Sequence, residues 1–172
     1  MLDKITKAID TFNTKQGDFT SLLILPLCVV VIYEVIMRYV FNAPTVWGFE
    51  ATTFLYGMHF MFGYSYTEVL GGNVKVDVFT ARMSTKTQAV LNIITTGVFF
   101  LPVFTCLTIF VFRYAFISTS QGELNSTSWA PPIWPFKLIM ATCFLFLLLQ
   151  GFSNLLKSIR VLTTKTDSTV KG

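Results

Sequence analysis

Four long apolar stretches alternate with shorter polar segments along the chain. They cover roughly residues 19–41, 45–70, 88–112 and 133–156. A helix rises about 1.5 Å per residue, so each stretch has the roughly 20 residues needed to cross a hydrocarbon core of about 30 Å. The pattern predicts an all-α integral membrane protein with four transmembrane helices. We expect one membrane domain, residues 1–162, and a disordered cytoplasmic tail, residues 163–172, which is rich in Thr, Lys, Ser and Asp.

Two shorter segments have amphipathic patterns. Residues 1–16 are predicted to form a helix in which Leu2, Ile5 and Ile9 lie on one face. This helix is predicted either to lie as an amphipathic helix in the cytoplasmic interface or to cap the inner end of the bundle. After Gly71-Gly72-Asn73, residues 74–79 mix valines with charged residues. They predict a short interfacial segment between helices two and three.

Basic residues collect on alternate sides of the four stretches. Ten of the thirteen Lys and Arg precede the first stretch, separate the second from the third, or follow the fourth; the exceptions are Arg38, Arg113 and Lys137. The positive-inside rule therefore predicts that both termini and the middle loop are cytoplasmic. All the tryptophans fall at the predicted outer interface, where indole rings concentrate.

The composition and the side-chain inventory exclude several functions. The chain is 53% hydrophobic and 13% charged, and its net charge of +4 is spread over three segments, unlike the compact basic face of a nucleic-acid-binding protein. It has one histidine and no C-x-x-C, H-E-x-x-H or glycine-rich phosphate loop. We therefore predict no catalytic, cofactor-binding or metal-binding residues and no enzyme activity. The three cysteines lie inside the apolar stretches, and we interpret them as small apolar residues that pack between helices.

Ionisable residues inside a bilayer need a partner or a function. Glu34 and Arg38 are four residues apart with the acid first, the favourable order for an ion pair on one helix face. The connection to the second stretch is short, so Glu50 should come alongside them. We expect a structural ion cluster of Glu34, Arg38 and Glu50; a substrate or ion site and a contact with a partner chain are the alternatives.

The second stretch is polar on two opposite faces. At about 100° per residue, Glu50 and Glu68 share a face with Gly57, whereas His59 and Gly63 lie on the opposite face. Neither face can meet lipid without a cost, so one should pack on its own bundle and the other on a second subunit. We interpret His59 as a hydrogen-bonded structural histidine; the alternative is a proton carrier.

Three segments resemble the small membrane subunit of the tripartite ATP-independent periplasmic (TRAP) transporters. They are the run from Arg38 to Glu50, the run from Gly71 to Phe79, and Pro132-Ile133-Trp134-Pro135 leading into a Leu/Phe-rich span. Their order and spacing follow the family over nearly the whole chain. The resemblance implies a four-helix scaffold subunit without catalytic or ion-ligand residues of its own.

The resemblance also implies partners. A large membrane subunit would hold the substrate and the coupling sodium ions, and a periplasmic substrate-binding protein would deliver an organic acid of the sialic acid or C4-dicarboxylate class. The complex would lie in a bacterial inner membrane among phospholipids, with no role for nucleic acid. The alternative is an independent protein with four spans that acts as an oligomeric channel or a membrane adaptor.

Two sets of residues are candidates for contacts with these partners. For the large subunit they lie on or just before the second stretch: Trp47, Gly57, His59, Gly63 and Glu68. For the periplasmic protein they lie in the second outer loop: Trp129, Pro131 and Trp134.

Overall fold

The computed structural model describes residues 2–73 and 83–167. All regular structure in these residues is helical: α1 (Leu2–Ser21), α2 (Ile24–Tyr39), α3 (Gly48–Leu70), α4 (Thr85–Ile94), a π-helical segment (Thr95–Phe100), α5 (Leu101–Gln121) and α6 (Trp134–Asp167). No β-strand occurs in this part of the chain, and one isolated bridge joins Leu124 to Pro132. The predicted all-α class is confirmed. The predicted interfacial segment, 74–79, lies outside the described residues.

Three helical stretches are long and apolar enough to cross a membrane: Asp3–Tyr39, Lys86–Gln121 and Trp134–Thr163. They cover nearly all of the first and fourth predicted spans and the whole of the third. α3, the second, has 23 residues, which at about 1.5 Å per residue give a helix of about 35 Å. Its tyrosines, threonines, His59 and Glu68 make it too polar to qualify on composition. That α3 also crosses the membrane, which would bring the number of spans to four, therefore stays a prediction.

The helices run beyond the predicted spans at several ends. α5 continues to Gln121, where Gly122 closes the helix in the left-handed conformation at φ 59°. α6 continues to Asp167, because residues 157–167 contain no glycine or proline to stop it. The predicted boundary of the tail at residue 163 therefore falls inside a helix, and residues 168–172 lie outside the described residues.

α1 belongs to the helical bundle. It runs antiparallel to α3 and α6 and contacts both. Phe12 packs edge-on against Phe146 of α6, with ring centroids 4.9 Å apart, and a Cβ on Gly17 would lie 2.1 Å from the Tyr66 ring of α3. The polar stripe of α1 faces the bundle and bonds to α3 and α6. The placement of α1 along the membrane surface or as a cap on the inner end of the bundle stays a prediction.

Polar side chains fill much of the interior. The largest side chains that are fully buried are Asn13, Ser65, Ser118, Gln150 and Ser153. Large apolar side chains point outward instead, for example Phe19 at 73% and Phe116 at 74% exposure. Lipid solvates apolar surface, whereas backbone and side-chain polar groups in a bilayer must be satisfied inside the protein. This distribution suits a bundle that spans a membrane.

α6 is the central helix of the bundle. It contacts α1, α3, α4, the π-helical segment and α5. α1 and α3 lie on one side of it, and the helix from α4 to α5 lies on another. α2 continues from α1 toward the predicted outer end, where it packs against the beginning of α3.

Candidate functional site

The outer ends of α2 and α3 are joined through a carboxylate. Glu34 forms a salt bridge with Arg38 at 2.7 Å, and its other oxygen accepts hydrogen bonds from the backbone N–H and the hydroxyl of Thr45. The Thr45 hydroxyl oxygen in turn accepts from the backbone N–H of Gly48 at 3.1 Å. A Cβ on Gly48 would lie 2.6 Å from the Glu34 carboxylate. Thr45 and Gly48 therefore let Glu34 reach the N-terminus of α3, a role that sequence reasoning missed.

Glu50 does not join Glu34 and Arg38. It is 4% exposed, and in the described part of the chain its side chain makes no hydrogen bond or salt bridge. One of its carboxylate oxygens is fully buried without a partner. The structure thus brings together two of the three residues of the predicted ion cluster.

A second ion pair, in which the lysine is buried, holds the outer loop to α6. Lys137 is 6% exposed, forms a salt bridge with Glu123 at 2.5 Å, and lies 4.0 Å from the centre of the Tyr114 ring. The hydrogen bond from Lys137 holds the pKa of Glu123 below its usual value. This three-residue contact ties α5, the loop and α6 together, and its members are too far apart in sequence for local spacing to reveal it.

A network of polar side chains joins α1 to α6 at the inner end of the bundle. One oxygen of Asp10 accepts hydrogen bonds from Gln150 at 2.9 Å and Ser153 at 3.0 Å, and the other pairs with Lys157 at 2.6 Å. Asn13 donates to Gln150 at 2.8 Å. These are interhelical hydrogen bonds made by side chains that lipid could not satisfy.

The network continues from α6 to α3. Asn154 accepts a hydrogen bond from Gln150 at 3.3 Å and donates one to Glu68 at 2.8 Å. Glu68 also accepts a hydrogen bond from Asn73. The candidate interface residue Glu68 is therefore bonded within its own chain, at the inner end of α3.

His59 lies in the middle of α3 and faces α1. Its Nδ1 is 3.2 Å from the backbone carbonyl of Thr20, just before the turn that separates α1 from α2. Ser65 donates to Gln16 at 3.1 Å in the same seam, and Tyr66 donates to Asp18 at 3.1 Å. The surroundings of His59 agree with a hydrogen-bonded structural histidine.

The two glycines of α3 have different surroundings. A Cβ on Gly57 would lie 2.6 Å from the Phe136 ring of α6, so this glycine permits close packing within the chain. A Cβ on Gly63 meets no atom within 4 Å. Of the candidate interface residues, Trp47 stacks on Tyr33 of α2 at 5.8 Å. Of the two glycines, only Gly63 has open space beside it.

Gly63 and His59 line a cleft between α1 and α3. The cleft has a volume of about 420 Å³, and Gly17, Thr20 and Tyr66 also border it. Exposed aromatic side chains, Phe60 at 49% and Tyr64 at 59%, stand beside it on α3. A small residue flanked by aromatics offers a second helix a close approach.

The second outer loop folds back on itself. Asn125 and Pro131 are joined by a backbone hydrogen bond of 2.8 Å, and Ile133 donates to the carbonyl of Glu123 at 3.0 Å. Pro131 is buried and Trp134 half-buried, whereas Trp129 near the tip is 45% exposed. Trp129 is thus the candidate docking residue that the loop presents to its surroundings.

These polar groups bind one another within the chain. Within residues 2–73 and 83–167, no group of three or more His, Cys, Asp or Glu could hold a metal ion. The carboxylates described above are paired with cations, amides or hydroxyls, apart from Glu50. The arrangement locks helices together.

Comparison with known protein families finds a match over most of the chain. The model for "Tripartite ATP-independent periplasmic transporters, DctQ component" matches residues 27–161. No curated protein sequence matches the chain significantly. The DctQ model describes a component of transporters and not a family of enzymes. The match includes most of α2, all of α3 to α5 and most of α6, and the chain therefore belongs to the DctQ family, the small component of TRAP transporters.

Proposed function

We propose that this chain is the scaffold subunit of a sodium-coupled TRAP importer. It binds and stabilises a large membrane subunit that holds the substrate and the coupling ions, and a periplasmic binding protein delivers an organic acid of the sialic acid or C4-dicarboxylate class. The observation that carries the proposal is the family match over residues 27–161.

The contacts inside the bundle support a scaffold role. Asp10, Glu34, Glu68 and Glu123 are each engaged with partners in the same chain. These four carboxylates thus help to hold the helices and the outer loop together. A subunit built in this way presents a fixed surface to a partner that moves or binds substrate.

The cleft around Gly63 is the face that we propose for the large subunit. It combines open space at a glycine with polar groups, His59 and Thr20, that are costly to expose to lipid. Gly57, Trp47 and Glu68 are engaged inside the chain and would support this face from behind. A transmembrane helix of the large subunit seated in the cleft would cover the part of His59 that the chain leaves exposed; Thr20 is already buried.

The proposed topology has four spans in a bacterial inner membrane, with both termini in the cytoplasm. α3 runs antiparallel to α1 and α2 and packs beside two of the three candidate spans, Asp3–Tyr39 and Trp134–Thr163. Its length of 23 residues suffices to cross the bilayer. The basic residues at the end of the bundle with both termini would then face the cytoplasm. Trp129 in the opposite loop would be available to the binding protein.

Transport by reconstituted components tests the proposal. Proteoliposomes would contain the large subunit with or without this chain, and the binding protein would be added outside. Uptake of sialic acid and of a C4-dicarboxylate would be measured under an inward sodium gradient. We expect uptake of one of these acids that requires the sodium gradient, the binding protein and this chain. Full uptake by the large subunit and binding protein alone would contradict the proposal.

A further inference from the structure

The imidazole of His59 has one nitrogen bonded within the chain and one that is not. Its Nδ1 lies 3.2 Å from the backbone carbonyl oxygen of Thr20. The other nitrogen, Nε2, has no hydrogen-bond partner in the described part of the chain and is not fully buried. His59 is half-buried and borders the cleft between α1 and α3. The ring therefore offers this cleft a nitrogen that its own chain leaves unpaired.

The bond to Thr20 fixes the position of the proton on the ring. α1 ends at Ser21 and α2 begins at Ile24, and in the turn between them the Thr20 carbonyl accepts from the backbone N–H of Leu23 at 3.1 Å. A carbonyl oxygen has two lone pairs and only accepts hydrogen bonds. The imidazole must therefore be the donor to Thr20, and Nδ1 carries the proton.

A proton on Nδ1 makes Nε2 an acceptor. If Nε2 were protonated as well, the ring would be a cation, and a charge inside a bilayer requires a counter-ion. The salt bridges in the described part of the chain do not include His59. The neutral ring with its proton on Nδ1 has a lone pair on Nε2, which accepts a hydrogen bond and donates none.

The depth of His59 restricts where a donor can come from. His59 is the twelfth of the 23 residues of α3, so it lies about 16 Å from either end of the helix. In a helix that spans the bilayer, this is near the middle of a hydrocarbon core of about 30 Å. Neither water nor a lipid headgroup supplies a donor at that level. The donor must therefore be a protein group.

The shape of the cleft favours a closely packed helix as the source of this donor. Gly63 lies one turn from His59, and a Cβ on it would meet no atom within 4 Å, so a neighbouring helix can approach closely there. Other hydroxyls on the walls are already engaged, since Ser21 and Tyr66 both donate to oxygens of Asp18. These groups leave Nε2 of His59 as an acceptor at mid-depth beside the open space.

We infer that the transmembrane helix of the large subunit in this cleft carries a hydroxyl or carboxamide side chain that donates a hydrogen bond to Nε2 of His59. This donor lies about one helical turn from the residue that packs against Gly63. The inference rests on the proposed function, because it specifies the chemistry of the partner that the cleft takes. A helix with only apolar side chains or a carboxylate at this level would leave Nε2 without a donor, so His59 selects among partner helices.

Two substitutions of His59 separate the roles of its nitrogens. An asparagine amide can take the place of Nδ1, and a glutamine amide the place of Nε2. His59→Asn should keep the Tm of the full chain in detergent and weaken binding to the large subunit about three- to fifteenfold, the range for one interhelical hydrogen bond in a membrane. His59→Gln should lower Tm, because the bond to Thr20 is lost, and keep the affinity within about twofold. The measurements are thermal unfolding and titration of the fluorescently labelled full chain with the large subunit.

The outcomes distinguish this inference from the proposed function. Wild-type affinity in His59→Asn would overturn the inference while leaving the assembly with the large subunit intact. Equal losses of affinity in both variants would also overturn it, because His59 would then act only through the fold of its own chain. If the wild-type chain does not bind the large subunit at all, the proposed function fails and the inference fails with it.

The chain has a single histidine, which permits a direct measurement by nitrogen NMR. The wild-type chain with isotopically labelled histidine is combined with the unlabelled large subunit, and the chemical shifts report which ring nitrogen is protonated. We expect Nδ1 to be protonated and Nε2 to be unprotonated throughout, and the Nε2 resonance to shift toward that of a protonated nitrogen when the complex forms. An unchanged Nε2 resonance would show that lipid or an apolar side chain fills the cleft. A protonated Nε2 in the complex would show that the partner supplies an acceptor, and either result would refute the inference.

Discussion

Asp10 holds the inner ends of α1 and α6 together, and its removal should destabilise the whole bundle. The Asp10→Ala substitution leaves the donors of Gln150 and Ser153 without their acceptor, and both of these residues are 0% exposed. An orphaned buried donor costs about 1–3 kcal/mol. Lys157 is 42% exposed, so water replaces much of its lost partner. We therefore expect a loss of about 2 kcal/mol, or a fall in Tm of about 4–8 °C.

Two further substitutions calibrate this prediction. Asp10→Asn keeps an acceptor oxygen for Gln150 and Ser153 and removes only the ion pair, so it should cost less than Asp10→Ala. Asp3→Ala removes a salt bridge to Arg160 in which both side chains are 61% exposed, and such pairs contribute only about 0–1 kcal/mol. The assay is thermal unfolding of the purified protein in detergent, followed by tryptophan fluorescence. If Asp10→Ala lowers Tm no more than Asp3→Ala does, the network does not stabilise the bundle as described.

Three other predictions follow from the outer end of the bundle and the topology. Arg38→Ala should lower the free energy of unfolding by no more than about 1 kcal/mol because the side chain is 52% exposed. Glu34→Ala should lower Tm further because it also removes the acceptor at the start of α3. Equal Tm values for the two variants would contradict this ranking. The pKa of Glu123 is lowered from 4.5 by its hydrogen bond from Lys137, so its stabilisation is present above about pH 4.5 and is lost as the pH falls through the lower folded value. Protease resistance of the outer loop should therefore fall on acidification in the wild type, and a Glu123→Gln variant with the same pH profile would refute the role of this pair. A reporter fused to the C-terminus should read cytoplasmic and one inserted near Gln121 periplasmic; the reverse result would invert the topology.

The sequence revealed the features that depend on local spacing. The apolar stretches predicted the helices, and the separation of four residues between Glu34 and Arg38 predicted their salt bridge, because neighbours on one turn of a helix meet whatever the fold. The hydrogen bond that Asp10 accepts from Gln150 could not be predicted from local spacing. The two residues lie far apart in the sequence, and only the antiparallel packing of α1 on α6 brings them together.

The position of α1 shows a second limit. An amphipathic pattern says that a helix has two unlike faces, but it does not say which face meets the protein. In water the apolar face turns inward, whereas in a bilayer the polar face must find partners inside the protein. Asn13, Gly17 and Thr20 recur at three- and four-residue intervals, and this polar stripe was the signal that α1 packs in the bundle.

The cleft around Gly63 also required the structure. From the sequence, Gly57 and Gly63 were equivalent small residues on a two-faced helix. Their surroundings differ, because the Phe136 ring fills the space beside Gly57 whereas no atom lies within 4 Å of a Cβ on Gly63. The helix partner across Gly57 comes from far along the chain, and helical periodicity contains no information about it.

Co-purification of the large membrane subunit with glycine variants tests the central claim, that the cleft between α1 and α3 is the face of a scaffold subunit. Gly63→Leu places a bulky side chain in open space, and Gly97→Leu is the matched control, since a Cβ on Gly97 meets only Leu155 at 3.9 Å. We expect Gly63→Leu to keep the Tm of the isolated chain and to lose most of the co-purifying large subunit, while Gly97→Leu retains it. Wild-type recovery of the large subunit with Gly63→Leu would contradict the account.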